Sequence, residues 1–190
     1  MKKLIISILM VFAISTAAGA GTIYKVGSVK TSEKNELLNM HLPSDMLVYV
    51  GIDAAGNRLT QIRVDTGLEL LKLNLWGSSA EYHRWQYIVD KTVEWAEIAR
   101  KNRVDHNENL DDCSTVDVSC SARFFAFRDG QEAGISFKFE SKENQFYKSS
   151  PLMLLTDVRA LKQILDKTGP AKLDELAQKP RVDTTNLFKK

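Results

Sequence analysis

The chain lacks most of what would announce a chemistry. It has no Gly-x-Ser-x-Gly elbow, no Ser-x-x-Lys, no His-Glu-x-x-His and no glycine pattern for cradling phosphates or a dinucleotide. The common hydrolase and nucleotide-binding signatures are therefore missing, and no pattern calls for a cofactor. Histidine is scarce: His41, His83 and His106 are the three, and no two of them stand at a spacing that would set both imidazoles on one metal. Only two cysteines occur, Cys113 and Cys120, which is too few thiolates for a zinc site and the wrong spacing for a Cys-x-x-Cys redox pair. Internal repeats and low-complexity stretches are absent too.

An excess of charge of one sign is also lacking. The formal net charge is +2, and Lys2 and Lys3 account for all of it, so residues 21–190 carry 24 basic and 24 acidic side chains. That balance removes the whole-chain electrostatic argument for nucleic acid or an anionic membrane. The nearest basic cluster, Arg100, Lys101 and Arg103, complements the negative end of a helix, and no basic stripe with interleaved aromatics can be assembled.

Long apolar runs are confined to the N-terminus. Lys2 and Lys3 give a positive start, residues Leu4 to Ile14 are nearly all apolar, and Ala18-Gly19-Ala20 reads as an A-x-A cleavage site. The stretch is shorter than the roughly 20 residues that span a bilayer. Residues 1–20 are thus expected to be a signal peptide, with no transmembrane anchor after processing and a periplasmic or secreted location. In that oxidising setting Cys113 and Cys120 are expected to pair, closing a short loop. Residues 21–180 are long enough for one globular domain, and 181–190 read as a tail without periodicity.

Within the domain, Thr22 to Lys30 suggests a short edge strand. Met46 to Ile52 and Arg58 to Val64 flank the turn residues Asp53 to Asn57, which predicts a hairpin. His41 precedes Leu42-Pro43-Ser44-Asp45, where the proline suggests a turn. Leu68 to Trp76 is apolar on both parities, as in a doubly covered strand or a buried helical turn. Ser78 with Glu81 forms a capping box, and Tyr82, Trp85, Ile88, Val89, Thr92, Ala96 and Ala99 fall on one face of a helix from about 79 to 101. Trp85 is expected to anchor that helix on the sheet.

The polar segment Asn102 to Asp112 reads as a loop. Ser121 to Phe127 and Ala133 to Glu140 flank Arg128-Asp129-Gly130-Gln131, whose Asp-Gly pair suits a tight hairpin. Pro151 to Leu155 is a strand or the approach to a helix. A helix capped by Thr156 runs to Thr168, and a further helical piece is expected from Ala171 to Gln178. These elements predict an α+β fold, with an antiparallel sheet packed against a long central helix and one or two C-terminal helices; the alternative is a β-sandwich with a helical insertion.

One motif invites a metal. Asp105, Asn107, Asn109 and Asp111 open like a calcium loop, but Leu110 and Val116 stand where an EF-hand wants glycine and glutamate. A solvated turn-rich loop explains the same residues. Three functions fit the whole reading. The first is an exported binding or accessory protein docking another exported or envelope protein through a sheet face, an edge or the clipped loop. The second is a small extracytoplasmic hydrolase built on His83, His106 and the Asp105 to Asp112 carboxylates. The third is an inhibitor presenting the 113–120 loop to an exported enzyme.

Overall fold

The computed structural model describes residues 22–35, 40–52, 58–65, 70–76, 80–144 and 147–168. Among these described residues nine strands form one antiparallel sheet: β1 (Thr22–Asn35), β2 (Met40–Ile52), β3 (Arg58–Asp65), β4 (Leu70–Trp76), β5 (His106–Asp112), β6 (Val118–Phe127), β7 (Glu132–Ser141), β8 (Lys148–Ser149) and β9 (Pro151–Leu154). Their order is β4-β3-β2-β1-β9-β7-β6-β5, with β8 pairing β7. The sheet curls, bringing β4 close to β6 without a ladder between them. Two helices, α1 (Ala80–Asn102) and α2 (Leu155–Thr168), pack on each other and on the sheet. The architecture is mixed sheet and helix in one continuous sheet, which replaces the alternative of a two-sheet sandwich.

Alternation decides which face is buried. Met46, Val48 and Val50 of β2 stand beside Val64, Ile62 and Thr60 of β3, which in turn pair Leu71, Leu73 and Leu75 of β4, and all nine are buried. Val118, Cys120, Ala122, Phe124 and Ala126 of β6 alternate inward in the same way, the last four opposite Phe139, Phe137, Ile135 and Ala133 of β7. The helices close this inner face. All seven residues of the apolar stripe read from the α1 sequence are buried, as are Val158, Leu161 and Leu165 of α2. Trp85 stacks on Phe137 and Phe139 at ring-centroid distances of 5.1 and 6.3 Å, and Tyr82 donates its hydroxyl to the Leu165 carbonyl at 2.6 Å, joining the two helices.

Several expectations are corrected. Thr22 to Lys30 is part of a longer strand than expected, Thr22–Asn35, which pairs β2 along its length; β9 joins β1 on the other side only at Ser32 and Glu33, so the 22–30 stretch has β2 alone beside it, as at an edge. Pro43 lies within β2 and not in a turn; the β2–β3 ladder starts only at Met46, so Pro43 sits where β2 has β1 alone beside it, and proline is tolerated in a strand with one open side. Of the two readings of the Leu68 to Trp76 run the strand holds, as Leu70–Trp76, but it is not covered on both faces, since Lys72 is exposed. The segment read as a loop after α1 holds β5, whose side chains are all exposed except the half-buried Leu110. Ladder pairing needs the backbone alone, so an edge strand can be polar throughout. The signal segment 1–20, the turn at 53–57, the Ser78 cap, the helical piece 171–178 and the tail 181–190 lie outside the described residues.

The turn between β6 and β7 follows its sequence. Gln131 N–H donates to the Arg128 carbonyl, and the two residues between, Asp129 and Gly130, have φ of 58° and 74°. Both being positive is what Asp-Gly supplies in a tight hairpin. Gly130 also lies against α1, where a Cβ would meet the Ala99 carbonyl carbon and oxygen at 2.4 Å.

Candidate functional site: the clipped β5–β6 hairpin

The hairpin joining β5 to β6 is closed by the Cys113–Cys120 disulfide, with Cα atoms 4.8 Å apart, inside the range such bonds adopt. Both cysteines are buried, and the Trp85 indole Nε1–H donates to the Cys113 carbonyl at 3.3 Å. The base of the hairpin is therefore continuous with the Trp85–Phe137–Phe139 stack in the core.

Above the disulfide, the backbone is held by hydrogen bonds on both sides. Cys113 N–H donates to the Cys120 carbonyl at 3.1 Å, and Thr115 N–H to the Val118 carbonyl at 2.9 Å. Ser114 Oγ accepts from Cys120 N–H at 2.8 Å. Lys142, just past the end of β7, donates its Nζ to the Thr115 carbonyl at 2.7 Å and its N–H to the Asp117 carbonyl at 2.9 Å. At the apex Val116 is 78% exposed. Valine has a stiff side chain, so a β-branched apolar group stands in water on a backbone with little freedom left.

The electrostatics at the base favour an ionised Asp112. Its carboxylate accepts from Ser114 N–H at 2.8 Å. The Ser114 side chain and backbone lower its pKa, with Arg84 and Lys142 adding to the effect. An open groove lined by Asn109, Asp112, Ser119, Ser121, Lys138 and Glu140 runs beside the hairpin.

The four candidate calcium ligands do not converge. Asp105 precedes β5 and uses its carboxylate to accept from Asp129 N–H at 2.8 Å. Asn107, Asn109 and Asp111 lie along β5, opposite Phe125, Arg123 and Ala122, with a bulge at Leu110. At about 3.3 Å per residue an extended chain spreads Asp105 and Asp111 about 20 Å apart, where a calcium loop would wrap them round one point. Among the described residues no group of three or more His, Cys, Asp or Glu could hold a metal ion.

The histidines are equally separate. His41 is exposed on β2. His83 is exposed on the first turn of α1, its ring edge-on to Tyr82. His106 on β5 sits 2.9 Å from a Glu108 carboxylate oxygen and edge-on to Trp95. Trp95 is twelve residues along α1 from His83, or about 18 Å of helix, so the pair considered for a hydrolase is not brought together. Sequence reasoning found the two cysteines and missed Lys142 and Ser114, because nothing in the pattern tells a lysine after β7 that its partner is the carbonyl of residue 115.

The chain matches no family model, no curated protein and no solved structure.

Proposed function

We propose that this chain is an exported binding or accessory protein, periplasmic or secreted, which presents the Val116 tip of the clipped hairpin to another exported or envelope protein. The observation that carries the reading is a highly exposed valine on a hairpin fastened by a disulfide, by Lys142 and by Trp85 at its base. A loop already held in one shape loses little freedom on docking, so more of its contact energy is left for affinity. Disulfide closure fits an oxidising compartment, and among the described residues no helix is long and apolar enough to cross a membrane. A partner whose apolar cleft takes the tip is the chemistry this apex suits, and an enzyme inhibited in that way is a special case of the same docking.

The test is a pull-down from the exported fraction with tagged residues 21–190, beside a Val116→Asp variant. The tip reading expects a partner retained by the parent and lost with Val116→Asp, at an unchanged melting temperature. Equal retention by both proteins would exclude the tip and leave the sheet face or its edges.

A further inference from the structure

The solvent-facing side of β2–β4 carries a second, unrelated arrangement. Register places Leu47, Arg63 and Lys72 in one row across the three strands and Tyr49, Gln61 and Asn74 in the next, with Lys25 of β1 beside Tyr49. Arg63 is fixed twice. Its guanidinium carbon lies 4.0 Å from the centre of the Tyr49 ring, and its Nε donates to Gln61 Oε1. Gln61 is itself only 5% exposed and donates to Asn74 Oδ1 at 2.7 Å, so the amide that orients Arg63 is anchored in turn.

This leaves a flat guanidinium with one donor used and the two Nη groups taken by no described residue. Neither Arg63 nor Lys72 forms an ion pair with a described residue, although they are direct cross-strand partners. Like charges facing each other across a ladder are destabilising. On the same face Asp45 is held by Lys30 at 2.9 Å, and Asp65, at the end of β3, is also engaged. A pre-oriented guanidinium beside a lysine, in a row without a carboxylate, is the arrangement that takes an oxyanion.

We infer that Arg63, Lys72 and the Tyr49–Gln61–Asn74 network form a binding site for a phosphoryl group. The fork of Arg63 matches two of its oxygens. A third remains for the Lys72 ammonium, whose stem starts about 5 Å from that of Arg63 across the ladder. A carboxylate has two oxygens, which the fork alone satisfies, so it would leave Lys72 unused.

Titration calorimetry at constant ionic strength tests this, with inorganic phosphate, with acetate, and with phosphatidylcholine vesicles carrying phosphatidic acid. Saturable phosphate binding is expected, weakened about tenfold or more by Arg63→Gln. Lys72→Gln is expected to weaken it about threefold, the size of one exposed charge; acetate should bind weakly and be indifferent to Lys72→Gln. Binding to the vesicles alone, lost with Arg63→Gln, would support the site and assign the phosphoryl group to a lipid headgroup. Arg63→Lys keeps the charge without the fork, and guards against an Arg63→Gln variant that fails to fold. The inference is overturned if neither probe binds, or if binding is unchanged in Arg63→Lys and Lys72→Gln proteins that melt like the parent.

Discussion

Strand β6 is reversed at both ends, and the two reversals are held by different means. At its C-terminal end the Arg128–Gln131 turn folds against α1, with Gly130 on the Ala99 backbone and the Asp105 carboxylate capping Asp129 N–H. At its N-terminal end the 113–118 segment buries Cys113, Thr115 and Val118 and leaves its Val116–Asp117 apex exposed, and a disulfide with a lysine's two hydrogen bonds does the holding. A turn that can lean on a helix needs only the right backbone torsions. One that must stand in water with an apolar apex needs tethers, and a tethered apolar apex is what a binding tip requires.

The sharpest way to break this contrast is Gly130→Ala. The added carbon would fall 2.4 Å from α1 backbone atoms at a φ of 74°, which no side-chain rotation relieves. A loss of about 2–4 kcal/mol is expected, read as a lower urea midpoint, since strain and a backbone clash act together. Opening the other end is expected to do less. Cys113→Ser with Cys120→Ser removes a cross-link over a short loop, for which loop entropy gives about 2.5 kcal/mol as the full effect. The core below should stay packed because Trp85 stacks on Phe137 and Phe139 without the bond. Hydrogen exchange would then rise at Ser114 to Val118 before it rises in β7; a uniform rise would mean that the clip supports the fold as a whole.

The two ends also differ in how plainly their sequences speak. Asp129-Gly130 declares its turn because positive φ at both central residues is a local demand with a local solution. The stripe of α1 is legible for a similar reason, since seven residues at helical spacing need a single buried face. Cys113 and Cys120 announce the clip, but the exposure of Val116 depends on what packs beside it, and the spacing of the cysteines carries none of that. β5 was illegible because the usual signal of a strand is a buried alternation, and His106–Asp112 has exposed side chains on both faces apart from Leu110. Its Asn and Asp residues suit turns as well as a charged edge, and only pairing with β6 decides between them. The Arg63 site is hidden for another reason: Tyr49, Gln61, Arg63 and Asn74 become neighbours through the register of three strands, so no window of sequence contains them in their spatial order.

The smallest expected effect lies at the foot of the clipped hairpin and depends on pH. Asp112 is held below the usual carboxylate range, first by the Ser114 side chain and then by its backbone N–H. A folded-state pKa below the unfolded one means that the unfolded chain binds the proton more readily. The stabilisation is therefore full above about pH 4, the ordinary aspartate value, and disappears as pH falls through the lower folded-state value. Because the carboxylate is exposed, solvent screening keeps this to about a few tenths of a kcal/mol. Asp112→Asn keeps an acceptor for Ser114 N–H but loses the charge, so its melting temperature should lie slightly below that of the parent at pH 7 and converge with it on acidification. If the Asp112→Asn difference persisted unchanged into acid, the tether at the foot of the hairpin would be geometric and not electrostatic.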